Sequence, residues 1–310
     1  MSEYLEIALN KTLHTNYNYF KYFQNQDNKR EKHEGSHHQI LETLRYAIES
    51  SLNLALKDKS ICFDDNFLFR FLYARKFNCN AAMDLLINYL ENKKNNMIWQ
   101  NINVFDQKIQ HALLDGNPGI LTERDRRGRQ VITFTAGSWN TSKYSLEDIY
   151  RALLLTLDIL LEDIQNQALG FVIIVDWTNF TYKQSTHLSP KILKNIIEGL
   201  QEFMPVKFKG IHFIAQPWYV DFTLTAIKPF FKDKIKKRIY VHGFNLSSMH
   251  NLICKDILPP ELGGEAPNVN HFDWFNFLIV CSQSSDIPKE YRIMKTIVYT
   301  KSPICMKENM

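Results

Sequence analysis

Lys207 and Lys209, and then Lys228, Lys232, Lys234, Lys236, Lys237 and Arg238, bracket an apolar stretch rich in aromatics: Trp218, Tyr219, Phe222, Phe230 and Phe231. Cations flanking a greasy, aromatic segment have the chemistry of a surface that touches an anionic membrane. The same stretch suits a lid over an apolar cavity. It suits equally well a core strand and helix with a solvated charged end. In an extended segment Lys207 and Lys209 project to one face, and Val206 and Phe208 to the other. In a helical one Lys234, Lys237 and Arg238 share a face.

The other reactive constellations are weaker. His33-Glu34-Gly35-Ser36-His37 reads H-E-x-x-H, the spacing that puts two imidazoles on one helical face for zinc, with the Glu polarising a bound water. Its context is polar, Gly35 weakens a helix, and no third ligand is evident. A zinc peptidase built on His33 and His37 is therefore a remote alternative, and the motif is expected to be inert. There is no G-x-S-x-G elbow, Walker loop or G-x-G-x-x-G. Asp176 ends an apolar run, where a carboxylate more often satisfies local backbone groups than does chemistry. His212 and His242 sit in strand patterns and read as core or edge histidines. The five cysteines form no C-x-x-C pair, which suits reduced thiols. These patterns predict no catalytic activity, no cofactor and no metal.

Elements must position whatever does the binding. Apolar residues make up 45% and charged residues 23% of the 310, the profile of an ordinary globular chain. A net charge of +4 is too small for a general nucleic-acid binder, so cations matter only where they cluster. The N-terminus has no apolar run and no window reaches the length of a membrane span, which predicts a soluble cytoplasmic protein. Residues 1–38 read as a polar leader. Ile40, Leu41, Leu44, Ile48, Leu52 and Leu56 have helical spacing. Asp64 and Asp65 can cap a second helix and Asn80 a third, giving a small helical unit over 39–100. Beyond it, strands are predicted at 129–136, 171–175, 211–215 and 238–242. Between them, Ser145 and Asp148 form a capping box for a long, nearly all-apolar helix, and Ser189-Pro190 starts another. Strands separated by long helices predict an α/β domain with a mainly parallel sheet over 101–280, then a tail over 281–310.

With these elements in place the chain resembles a family. Phe67-Leu-Phe-Arg-Phe-Leu-Tyr-Ala-Arg-Lys-Phe77 is similar to the helical N-terminal module of CRAL-TRIO proteins. Gly119-Ile-Leu, Val175-Asp176, Met204-Pro-Val-Lys-Phe-Lys-Gly210, Ile227-Lys-Pro-Phe230, Lys234-Ile-Lys-Lys-Arg-Ile239, His242-Gly243 and Leu258-Pro-Pro-Glu-Leu-Gly-Gly264 resemble successive blocks of its lipid-binding domain. The branch it resembles holds the α-tocopherol transfer protein, the cellular retinaldehyde-binding protein and the clavesins. The resemblance implies an apolar cage, closed by a mobile helical gate, that carries one tocopherol-, retinoid- or phospholipid-like molecule through the cytosol. It implies a phosphoinositide site made by Arg75, Lys207, Lys209, Lys234 and Arg238, and transient contact with endosomal or similar membranes. The expected gate includes Trp218, Tyr219, Phe222, Ile227, Phe230 and Phe231. The expected cavity is lined by Leu153, Leu154, Leu157, Phe180, Ile196, Leu200, Ile214, Val220 and Phe222. Leu153 and Leu157 stand where the tocopherol carrier presents serines, and Tyr73 where it has another arginine.

Magnitudes divide the roles. Four cations near an anionic surface contribute about 1 kcal/mol each, roughly millimolar affinity in total. Removing about 400 Å² of lipid surface from water contributes about 10 kcal/mol. Cargo retention is thus a matter of apolar burial, and membrane choice one of electrostatics. A regulatory module that senses a phosphoinositide and recruits a partner at vesicles is the alternative function.

Overall fold

The computed structural model describes residues 31–58 and 61–283, with side chains from residue 35 onward. Three helices form the N-terminal unit: α1 (Glu31–Ser50), α2 (Asp65–Ala74) and α3 (Cys79–Asn95). Leu41, Leu44 and Ile48 bury the α1 stripe against Phe67, Leu68, Phe71 and Leu72 of α2 and Leu85, Leu86 and Tyr89 of α3. α1 begins within the stretch read as leader, so the helical spacing from Ile40 marks its apolar half and not its start. Asp64 caps α2 by accepting from the Phe67 N–H at 2.8 Å. Asn78, not Asn80, caps α3. Lys76 and Phe77 both take positive φ at the end of α2, and the chain re-enters helical geometry only after Asn78, whose side chain accepts from the Ala81 N–H.

The second unit runs α4 (Gln107–Leu114), β1 (Gly119–Ile120), β2 (Gln130–Thr135), α5 (Leu146–Leu160), α6 (Ile164–Leu169), β3 (Phe171–Asp176), α7 (Tyr182–Ser185), α8 (Pro190–Glu198), β4 (Phe208–Ile214), α9 (Trp218–Ile227), α10 (Asp233–Lys236), β5 (Ile239–Gly243), α11 (Leu246–His250) and α12 (His271–Gln283). The strands lie in chain order, β1 antiparallel to β2 and β2 to β5 parallel. Among the described residues, the antiparallel β1 is the one strand that periodicity does not predict, being two residues long. The capping box is present as read: Ser145 Oγ accepts from the Asp148 N–H, and Asp148 Oδ2 from the Ser145 N–H.

Parallel strands taken in chain order, with crossovers of one hand, carry their helices on a single face. α5, α8 and α9 accordingly share one core with Ile132, Phe171, Ile173, Phe208, Ile211 and Phe213. The other face, Val131, Val172, Ile174 and Ile214, is covered by Met249, Ile253, Leu258 and Leu262 from the segment after β5. This corrects one expected cavity residue. Ile214 points away from the α5 face, and Phe213 occupies the predicted place, because side chains alternate along a strand.

Candidate basic site and gate

Every parallel strand begins at the same end of the sheet, and that end is where the predicted cations meet. Lys207 and Lys209 enter β4, Arg238 precedes β5, Lys234 lies in α10, and Arg75 closes α2. Backbone pairing fixes the entry points: the Phe171 N–H donates to Lys207 O at 2.8 Å, and the Ile211 N–H to Arg238 O at 2.8 Å. Gly170 must be glycine here. Its φ is +78°, and a Cβ would meet Lys207 O at 2.2 Å.

The electrostatics confirm proximity. Burial, followed by Lys209 and Lys234, pushes the Lys207 ammonium down to about 7. Burial, then Arg238, Lys234, Arg129 and Lys76, lowers Lys209. Burial, then Arg238, Lys76 and Arg75, lowers Lys234. Burial also lowers Arg75, against the pull of Glu202. Among the described residues, Arg75, Lys76, Lys207, Lys209 and Lys234 form no salt bridge. Lys207 Nζ donates to Ala168 O at 2.7 Å and lies 5.2 Å from the Tyr73 ring centre, so this tyrosine cradles a cation in place of adding one. Arg238 Nη1 donates to Phe208 O at 2.6 Å, which leaves its other donors for the cluster.

Two members escaped the sequence reading. Lys76 was legible as the neighbour of Arg75. Arg129 begins β2's strand pattern, but its Nε donates to Asp125 Oδ2 at 2.6 Å, so its charge is largely compensated. Other cations of the run stay outside: Lys232 pairs with Glu202 at 2.6 Å and Lys236 with Asp233 at 3.3 Å. α10 is only one turn long, too short for the shared face of Lys234, Lys237 and Arg238 to extend further.

The expected gate is α9 and the turn after it. Trp218 and Phe222 are one turn apart and 75% and 77% exposed, whereas Val220 and Ile227 are buried. Phe222 thus faces outward with Trp218, which corrects its expected place in the cavity wall. Tyr219 and Leu224 take the inward side instead, packed against the main core. Few polar contacts tether this segment. The Tyr219 hydroxyl donates to Phe180 O near one end. At the other, Gln201 Nε2 donates to Phe230 O at 3.1 Å and Gln201 Oε1 accepts from the Lys232 N–H at 2.8 Å. Gln201 belongs to a π-helical turn, Gly199–Phe203, that continues α8. A Cβ at Gly199 would meet the Tyr150 hydroxyl at 2.0 Å.

Of the remaining expected cavity residues, Leu153, Leu154 and Leu157 are buried on α5, and Phe180 after β3 and Val220 in α9 are buried too. Ile196 and Leu200 pack against the same core while keeping some accessible surface, as do Leu224 and Ile239, which were not expected in the lining. Asp176 Oδ1 accepts from the Thr178 N–H at 2.9 Å, the backbone role expected of it. His212 Nδ1 and His242 Nε2 are 3.0 Å apart, paired with each other across β4 and β5. His37 stacks on Phe77, while the side chains of His33 and Glu34 lie outside the described residues. Among the described residues no three His, Cys, Asp or Glu side chains come together as metal ligands.

Residues 114–264 match the CRAL/TRIO domain family. Clavesin-1 of Xenopus laevis is 43% identical over 242 residues, covering 77% of this chain and 73% of that protein. Clavesin-2 of Homo sapiens is 40% identical over 278 residues, covering 86% of this chain and 84% of that protein. Among solved structures, the crystal structure of Sfh5 matches with a TM-score of 0.54 at 15% identity, over 84% of this chain and 96% of that one, a likeness of fold.

Proposed function

The chain belongs to the CRAL-TRIO family of lipid-binding proteins, and from that premise we propose that it holds one lipophilic molecule in an apolar cavity and exchanges it at phosphoinositide-bearing membranes. The observation that carries this reading is the basic cluster. Cations that lower one another and lack protein counterions are suited to the converging oxygens of a phosphorylated headgroup, and Arg75 can bind bidentately. Trp218 and Phe222 supply the second half of the contact. Burying both in the lipid interface adds roughly 4 kcal/mol to about 4 kcal/mol from four cations, which moves docking from millimolar to about micromolar.

The cargo site is the α5 face of the sheet, under α8, the π-helical turn and α9. The wide turn at Gly199 and the lightly tethered α9 suit a wall that opens. Leu153 and Leu157 favour a cargo held by apolar contact over one anchored by a hydroxyl. No helix among the described residues is long and apolar enough to cross a membrane. The membrane contact in this reading is peripheral, made by the basic cluster with Trp218 and Phe222, and the working compartment is the cytoplasm, including endosomal surfaces.

Mass spectrometry of an organic extract of the purified protein should find about one lipid per chain. Transfer of that lipid between vesicles should accelerate when phosphoinositide is present in the acceptor. An empty extract together with persistent vesicle binding would replace transfer with the second reading, a recruitment module. Val241 on the outer strand β5 and Phe244 just after it, both exposed, would then offer the partner surface.

A further inference from the structure

The opposite end of the sheet carries the opposite charge. A cavity of about 530 Å³ opens at the carboxyl ends of β2 and β3, lined by Thr133, Ile174, Asp176, Glu261, Leu262 and His271 among others. Six-residue strands at about 3.3 Å per residue place it roughly 20 Å from the basic cluster. It also lies on the other face from the proposed cargo site, since Ile174 and Leu262 belong to the second core. In open α/β sheets the crevice outside the carboxyl ends of the strands is the usual place for a ligand. We propose that this cavity is a second binding site, for a small organic molecule bearing an ammonium group and a hydroxyl.

Its lining selects that chemistry. Among the described residues two carboxylates, Asp176 and Glu261, face it, and no lysine or arginine does. Asp176 uses Oδ1 on the Thr178 N–H, which leaves Oδ2 for a ligand. Glu261 has no hydrogen bond or ion pair among the described residues. Burial pulls the His271 imidazole down, against Glu261 and Asp115, so it stays neutral near pH 7 and adds no positive charge. The lining is therefore net negative, and an anion is disfavoured.

The imidazole is held in a fixed place. A Cβ on Gly116 would come within 2.5 Å of its Nε2, and one on Gly119 within 2.9 Å of its Nδ1 and 2.7 Å of Thr133 Oγ1. Its buried Nδ1 has no hydrogen-bond partner among the described residues. The Thr133 hydroxyl lines the cavity beside the imidazole and makes no hydrogen bond among the described residues, which suits a ligand hydroxyl that both donates and accepts. Ile174, Leu262 and Val269 receive the carbon skeleton.

The test is nuclear magnetic resonance of the full chain, with His271 assigned through His271→Gln. Ethanolamine and choline are titrated at constant ionic strength, beside ethylene glycol as the uncharged control and acetate and inorganic phosphate as anions. At least one amine should shift the His271 ring saturably, with the glycol at least tenfold weaker and the anions without effect there. Asp176→Asn and Glu261→Gln should each weaken the amine at least tenfold, and Lys209→Glu should leave it unchanged. Glu261 is exposed and its substitution spares the fold, so that variant decides the matter if Asp176→Asn unfolds. No saturable shift with either amine, full binding by Glu261→Gln, or an equal response to an anion would overturn the proposal.

Discussion

Arg70 and Arg75 belong to the same short stretch of chain, five positions apart, and their surroundings are opposite. Arg70 is buried and paired with Glu162, with the Phe67 ring 5.5 Å away. Around it Tyr89 donates to Asp158 Oδ1 at 3.3 Å, Lys93 donates to the Tyr89 hydroxyl at 3.4 Å, and Asn66 donates to Glu162 O at 2.9 Å. Two cations thus face two carboxylates, and the set joins α2 and α3 to the α5–α6 corner. Burial pulls the Arg70 guanidinium down, and Glu162 with Asp158 more than reverses it. Arg75 lies near enough to Lys234 to lower it, and burial lowers Arg75 itself against the pull of Glu202, with which it forms no salt bridge among the described residues. The difference shows how to tell a structural charge from a binding one. A buried cation in a closed protein network holds domains in register. A half-exposed one among like charges is worse off until an anion arrives.

Three experiments can break or sharpen this contrast. The largest effect belongs to the closed network. Glu162→Gln leaves Arg70 buried without its counterion and should cost about 3–5 kcal/mol by denaturant unfolding. The pair replacement Arg70→Met with Glu162→Leu should recover much of that loss. A single-variant cost under about 1 kcal/mol would mean the network is not what joins the two units.

Next comes the open cluster. Lys209→Glu reverses one charge and should weaken sedimentation with phosphoinositide vesicles by about 2 kcal/mol, roughly 30-fold, and the residual binding should fall further with salt. Stability should hold or rise, because like-charge repulsion is relieved. Lost stability with intact vesicle binding would put Lys209 in the structural class beside Arg70.

The smallest effect is a pH dependence at Lys207, whose ammonium is held at about 7. An anion stabilises its charged form, so vesicle binding should strengthen as pH falls from 8 to 6, by up to about tenfold. Lys207→Arg keeps the charge throughout and should flatten that profile. Stability moves the other way. Between about 7 and the ordinary lysine value near 10.4, the unfolded chain binds the extra proton, so folding stability rises with pH across that window and is lost as pH falls toward 7. A profile equally steep in Lys207→Arg would assign the dependence to the headgroup phosphate.

Much of the scaffold was readable before any fold was known, because its signals act over a few residues. Ser145 and Asp148 lie within one turn, Asp64 reaches only to Phe67, and the strands through Ile173 and Phe213 announce themselves by composition. The cations of the basic site were readable for another reason: they recur in blocks that resemble a family. The errors were errors of phase. Asn80 lies two residues past the true cap, Ile214 one residue past the inward-facing Phe213, and Phe222 a turn from Trp218 on the outer side of α9.

Sequence by itself determined which stretches become helices, which apolar runs become the parallel strands, and which residues bring charge. Tertiary structure decided which charges are paired. Glu162 lies 92 positions from Arg70, and Lys207 lies 132 positions from Arg75, separations that no local pattern spans. Parallel pairing gathers strand starts at one end of the sheet and strand ends at the other. That arrangement sets cations against cations at Lys209 and places Asp176 at the far end, where Glu261 joins it from the segment after β5. Coulomb energies depend on distance in space and on burial, and both exist only once the chain has folded.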